Sequence, residues 1–353
     1  MRPDLLSMLN IRYPIIQAPM AGISTPALAA AVSEAGGLGS IAVGTITPAQ
    51  AQATITAVRA QTSRPFNVNV FTHAPAASDP AREAAWLAWL RPHFERFGAQ
   101  PPAALSEIYR SFLADAPMFE LLLAERPAVV SFHFGLPPQA QIDALKDAGI
   151  VLFTTATSLD EALQVEAAGI DVIVAQGIEA GGHRGTFDPS APDQALSTFA
   201  LLDQLRGKVK PPLVAAGGIM NGADIRAALR HGASAVQMGS AFIACPESMA
   251  PPHHRALIAQ GAGLHTAHTA VISGRPARGI VNRLFTDLGA AGHPPPPDYP
   301  TAYDAAKALH AAASASGSQD YSVNWGGTGF AQARAMPAGE LVAALVAELE
   351  AAP

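Results

Sequence analysis

The segment Gln176-Gly177-Ile178-Glu179-Ala180-Gly181-Gly182-His183-Arg184-Gly185 sets four glycines around one histidine. Glycine lets backbone come close to a flat ligand, and an imidazole is the side chain whose titration suits proton transfer near neutrality. A solvated surface histidine is the competing reading, and the glycine density speaks against it. Two more glycine turns, Ala216-Gly217-Gly218-Ile219 and Gln237-Met238-Gly239-Ser240, each follow a short apolar run. Such turns let backbone amides meet a phosphate, although ordinary connections also use glycine.

Other residues have chemistry but less context. In Phe66-Asn67-Val68-Asn69-Val70 alternation puts Asn67 and Asn69 on one face, as ligand contacts or as satisfied core amides. His133, in Ser131-Phe132-His133-Phe134-Gly135, ends another apolar run, where a backbone-bonded core histidine is the plainer reading. Tyr299, Tyr303 and Lys307 stand four residues apart after Asp298, and helical spacing stacks them on one face able to grip an anion. Spacing alone favours an amphipathic surface helix there. His253-His254 and His265-x-x-His268 lack zinc-like company, so no metal site is expected. The single cysteine, Cys245, reads as buried packing, and neither a Gly-x-Ser-x-Gly elbow nor a P-loop is present.

These residues need a frame that gathers strand ends. Eight short apolar runs supply it: Ile15–Ala18, Leu38–Ala42, Phe66–Phe71, Val129–His133, Val151–Thr155, Val172–Gln176, Leu213–Ala216 and Ala235–Met238. They are continuous rather than alternating, as parallel strands buried on both faces must be. Helical stretches between them stop at glycine, as in Glu34-Ala35-Gly36-Gly37 and Arg230-His231-Gly232, and start at Thr25-Pro26, Thr47-Pro48 and Thr157-Ser158. The pattern predicts an α/β fold, a (β/α)8 TIM barrel, over an open doubly wound sheet, because the first turn, Pro19-Met20-Ala21-Gly22, lacks the Gly-x-Gly-x-x-Gly fingerprint. Residues 1–71, 128–245 and 320–353 are assigned to the barrel. Residues 72–127 and 246–319 are assigned to a smaller, mostly helical cap that binds substrate over the mouth, and Ala338–Glu350 to a closing helix.

Composition bounds the partners. With 353 residues, 22 Lys and Arg against 28 Asp and Glu give a net charge of −6, which excludes a basic nucleic-acid binder. Only 14% of residues are charged and 49% are hydrophobic, enough for a large core. No apolar run approaches the roughly 20 residues of a membrane span, and one cysteine fits a reducing compartment, so a cytoplasmic protein is expected.

Taken jointly, Ile15-Ile16-Gln17-Ala18-Pro19-Met20, Phe66-Asn67-Val68-Asn69, Val130-Ser131-Phe132-His133-Phe134-Gly135, Gln176 to His183, Ala216-Gly217-Gly218-Ile219 and Ser273-Gly274-Arg275-Pro276-Ala277-Arg278-Gly279 resemble the nitronate monooxygenases, formerly 2-nitropropane dioxygenases. The likeness runs from about residue 10 to residue 330 and is nearest the class I branch. It implies an FMN-dependent oxidation of alkyl nitronates such as propionate 3-nitronate by O2, through an anionic flavin semiquinone, to a carbonyl compound and nitrite. It further implies FMN contacts from Met20, Asn69, Gln176, Gly181, Gly182, Gly217, Gly218, Gln237, Met238, Gly239 and Ser240, and a catalytic His183. Tyr109, His133, Tyr299, Tyr303 and Lys307 match the family's substrate positions. Thr328 departs from it, where a glutamine often follows the glycine. An NAD(P)H-dependent reductase on the same barrel, resembling enoyl-thioester reductases, and a non-catalytic flavin binder are the alternatives. A monomer or homodimer is expected, with neither nucleic acid nor membrane as partner.

Overall fold

The structure, a computed structural model, describes residues 4–351. Its strands are β1 (Ile15–Gln17), β2 (Gly39–Ala42), β3 (Phe66–Phe71), β4 (Val129–His133), β5 (Val151–Ala156), β6 (Val172–Gln176), β7 (Gly182–His183), β8 (Leu213–Ala216), β9 (Ala235–Met238), β10 (Thr266–Thr269) and β11 (Ala277–Ile280). Among the described residues, eight of these form one parallel sheet in the order β1-β9-β8-β6-β5-β4-β3-β2. The bridge Ile16↔Leu38 joins its two edges, so the sheet closes into the TIM barrel expected from the sequence.

The helices form for local reasons visible in the chain. Thr25, Thr47 and Ser158 each accept a hydrogen bond from the amide three residues on, and proline opens the helices that follow Thr25 and Thr47. Their apolar faces meet the outer face of the strands in one large cluster that includes Leu28, Ile55, Leu145, Leu202 and Ile225. Inside the barrel a smaller cluster holds Ile16, Leu38, Phe153, Val172 and Val214 together with Leu5 and Leu9, so the short Leu5–Leu9 helix packs against the barrel interior.

Two long connections stand beyond the C-terminal ends of the strands. In the first, the Pro80–Glu95 helix packs on the Thr301–Ala315 helix, while the Ala116–Glu125 helix lies between Pro48–Arg59 and Gln139–Asp147 in the outer ring. Trp86, Leu90, Phe94, Ile272, Leu288, Leu309 and Tyr321 make a separate apolar cluster in this region. It also carries the small antiparallel sheet β10-β11-β7, which ties the chain after β9 back to the histidine loop.

Candidate active site

The C-terminal ends of the barrel strands open into a cavity of about 480 Å³, and every residue that the family resemblance assigns to cofactor, substrate or catalysis lines it. Met20 comes from the turn after β1, Asn69 from β3, His133 from the end of β4 and Gln176 from the end of β6. Gly181, Gly182 and His183 come from the β6 loop, Gly217 and Gly218 from the turn after β8, and Gln237, Met238, Gly239 and Ser240 from the end of β9. Tyr109 enters from the connection between β3 and β4, and Tyr299, Tyr303 and Lys307 from the approach to the Thr301–Ala315 helix and the helix itself. Asn67 lies outside the cavity wall: its Nδ2 donates to Ser40 Oγ at 3.2 Å, and its Oδ1 is buried without a partner.

His183 is held by its backbone before its ring does anything. It pairs with Ala277 across β7 and β11. Its carbonyl oxygen accepts from His133 Nε2 and from Gln176 Nε2, each at 3.1 Å. Gln176 Oε1 in turn accepts from the Gly185 amide at 2.8 Å, so this amide side chain is spent on shaping the loop. Arg184, 1% exposed, anchors the next turn through two bonds to Asp193 at 2.7 and 3.0 Å. At Gly181 a Cβ would come within 2.5 Å of the Gly326–Gly327 backbone, so only glycine lets these two loops touch.

The imidazole itself sits in an aromatic cage. Tyr299 at 5.2 Å, Trp325 at 5.3 Å, Phe134 at 5.7 Å and Tyr303 at 6.2 Å present their rings at steep angles. Its Nε2 lies 2.8 Å from Ser273 Oγ. Burial, then His133, Arg275 and His73, press its pKa down to about 3, so the ring is neutral. His133 is neutral as well, lowered to about 4 chiefly by burial. Because the His183 carbonyl can only accept, His133 carries its proton on Nε2 and its Nδ1 accepts from Thr155 Oγ1 at 3.0 Å.

Charge in the cavity wall is one-sided. None of the lining residues is Asp or Glu, and Lys307 is the lining residue with an ordinary cationic side chain. Lys307 Nζ donates to Tyr109 OH at 2.8 Å and stands 5.1 Å from that ring and 5.9 Å from the Tyr303 ring. Burial, followed by the neighbouring Tyr109, raises the pKa of Tyr299 and Tyr303, so both hydroxyls stay protonated and can donate. Behind Phe134 the Arg275 guanidinium, 4% exposed, lies 4.6 Å over the ring and donates to the carbonyls of Thr186 at 2.8 Å and Phe187 at 3.2 Å. Burial lowers its pKa to about 10, against the opposing pull of Tyr299, Asp188 and Glu161.

Several neighbours stand at the site without having been assigned to cofactor, substrate or catalysis from the sequence. Phe134 packs between Phe71, His133, His183 and Tyr299, and its φ of +82° is a conformation that a bulky residue seldom adopts. Trp325 stands 5.3 Å from the His183 ring and 6.4 Å from the Tyr303 ring. His254 lines the cavity with an unpartnered Nε2, and His268 is committed to the Ile178 carbonyl at 3.0 Å. Among the described residues no three His, Cys, Asp or Glu side chains gather as a metal site.

The family model described as nitronate monooxygenase matches residues 2–348. A nitronate monooxygenase of Pseudomonas aeruginosa is 55% identical over 342 residues, 97% of each chain. One of Paraburkholderia phytofirmans is 56% identical over 347 residues, 98% of this chain and 94% of the other. Among solved structures, nitroalkane oxidase from Streptomyces ansochromogenes superposes with a TM-score of 0.89 at 39% identity, covering 98% of both chains. FabK from Thermotoga maritima superposes with a TM-score of 0.75 at 28% identity, over 99% of this chain and 96% of the other.

Proposed function

The chain belongs to the nitronate monooxygenase family, and on that premise we propose that this oxidoreductase uses FMN and O2 to convert alkyl nitronates, propionate 3-nitronate among them, to a carbonyl compound and nitrite. The observation that carries the reading is the cavity wall without a carboxylate, where one lysine and protonated tyrosines surround a neutral imidazole. Such a wall favours an anion over a cation, and a nitronate is an anion.

Residues present fit a flavin mononucleotide. Gly217 and Gly218 turn with φ of +124° and +71°, which leaves a bare backbone turn at the strand ends where barrels bind phosphate. These two, with Gly239 and Ser240, would hold the phosphate. Met20, Asn69, Gln176, Gly181, Gly182, Gln237 and Met238 would line the ring and its chain. Asn69 spends its Nδ2 on Ser131 and keeps its Oδ1 free of protein partners among the described residues. When bound, the flavin supplies the electron acceptor and the point at which O2 reacts.

The chain's own side chains then have separable tasks. Lys307 and Tyr109 meet the negative end of the substrate at the mouth, and Tyr299 and Tyr303 offer hydroxyl donors deeper in. The rings of Phe134, Tyr299, Tyr303 and Trp325 crowd the half-buried His183 and would leave it little water once substrate fills the cavity. His183 is left to take a proton from a neutral nitroalkane or to hydrogen-bond the nitro group. The test is nitrite release and O2 uptake by the FMN-loaded protein in air with propionate 3-nitronate. A protein that retains FMN but releases no nitrite would overturn the proposal, and rapid bleaching by NADH or NADPH would select the reductase instead.

A further inference from the structure

We propose that Ser273 is the positioning residue that holds neutral His183 in a single tautomer, with the proton on Nε2 and Nδ1 left as a bare acceptor. Ser273 is fully buried, and its Oγ stands between three groups. It lies 2.8 Å from His183 Nε2 and 3.1 Å from the Arg275 carbonyl oxygen, and it accepts from the Arg275 amide at 3.4 Å. A hydroxyl has one proton to give, so two candidate acceptors compete for it.

The Arg275 carbonyl decides the competition. It can only accept, and among the described residues no other donor reaches it. If Ser273 gives its proton there, Nε2 must carry a proton and donate to Oγ, and every buried polar group of the trio is satisfied. If Ser273 instead donates to Nε2, the Arg275 carbonyl is orphaned in the interior and the imidazole proton must move to Nδ1. Buried unsatisfied carbonyls are avoided, so the first arrangement prevails.

The distance that enforces this is built into the backbone. The Arg184 amide donates to the Pro276 carbonyl at 2.8 Å, and His183 faces Ala277 across β7 and β11. On the other side Gly274, at φ +90°, lies flush against Pro297–Tyr299, where a Cβ would collide with backbone. Ser273 therefore cannot drift from the ring without breaking the small sheet.

The consequence rests on His183 being the imidazole of the proposed reaction. With Nε2–H tied to Ser273, the ring can accept at Nδ1. In a proton transfer from a neutral nitroalkane, the α-carbon C–H bond breaks, its proton goes to Nδ1, and the electron pair remains on the substrate as the nitronate. The imidazolium so formed keeps its Nε2–H on Ser273 Oγ, as an orienting acceptor would require.

The test is 15N NMR of the FMN-loaded protein carrying labelled histidine. The expected pattern for His183 is a protonated Nε2 and a bare Nδ1, assigned by its loss in His183→Asn. A protonated Nδ1 in the wild-type protein would overturn the proposal without any variant at Ser273. Ser273→Ala should mix or invert the pattern, and Ser273→Thr, which keeps a hydroxyl, should restore it. Turnover of neutral nitroalkane should fall roughly tenfold to a hundredfold in Ser273→Ala, with turnover of preformed nitronate far less affected. An unchanged His183 pattern in a folded Ser273→Ala protein would also sink the idea. The NMR arm reads the tautomer whether or not nitrite is produced, so its failure is distinct from failure of the proposed function.

Discussion

At the scale of single residues, burial sets the chemistry of His183 more than any one neighbour does. An ordinary histidine would give activity a limb near pH 6.5, rising as the ring loses its proton. With its pKa held near 3, His183 is already neutral throughout the range from about pH 5 to pH 8, so the sign of the effect there is none. We predict that kcat/KM for preformed nitronate shows no limb near 6.5 belonging to this ring. A limb that vanishes in His183→Asn would contradict the burial argument. Lys307 works under different physics, because it is exposed at the mouth and water screens its charge. Lys307→Met should therefore raise KM for a carboxylate-bearing nitronate only about two- to fivefold, the range of an exposed ion pair, with kcat nearly unchanged. The rise should shrink in high salt, and a KM that ignores salt would point to lost packing instead.

At the scale of elements, the active histidine depends on two loops that touch through backbone. Gly181→Ala would place a methyl group against the Gly326–Gly327 backbone, which cannot move aside as a flexible side-chain end would. We expect a loss of about 1–3 kcal/mol in stability and a protein that releases FMN on dilution, read by denaturant titration and by flavin fluorescence of the filtrate. The barrel was legible in the sequence because its strands are buried on both faces and so spell continuous apolar runs, Val151 to Thr155 being typical. The glycine turns after β8 and β9 were legible for a related reason, since bare backbone has a one-letter signature. The small sheet was not legible: β7 is two residues long, and its partner lies more than ninety residues away, with no alternation to mark either. The tyrosine and lysine stripe was visible as spacing, yet spacing could not say that its face looks into the barrel mouth. Tyr109 entered only through resemblance, because nothing local distinguishes it. Ser273 and Arg275 stand in a segment that helps carry the family resemblance, yet what their side chains touch follows from position in the fold and has no local signature.

At the scale of the whole molecule, four histidines, His73, His133, His183 and His254, are kept neutral in and behind the cavity wall, and this links folding to acidity. His73 is the cleanest case: it is 1% exposed, with Tyr299 edge-on at 4.9 Å, and neither ring nitrogen meets a partner at hydrogen-bond geometry. Burial first, and Arg275 second, lower its pKa to about 4, although the Tyr109 backbone lies near enough to favour the charged form somewhat. The unfolded chain binds a proton at this residue near pH 6.5, whereas the folded chain does not until about pH 4. Between those values the unfolded state holds more protons, so stability rises with pH. The contribution is complete above 6.5 and is lost as pH falls toward 4. From pH 6.5 to pH 5 this one ring should cost the fold about 2 kcal/mol. His73→Phe keeps a ring between Tyr299 and Phe134 but removes the titration. Urea denaturation at the two pH values should show a fall in unfolding free energy smaller by about that amount than in the wild type. His133, His183 and His254 titrate low as well, so the variant should keep a residual acid slope. Equal acid losses in variant and wild type would mean that His73 is hydrated or protonated in the folded chain, and the dry wall behind Phe134 and Tyr299 would have to be given up.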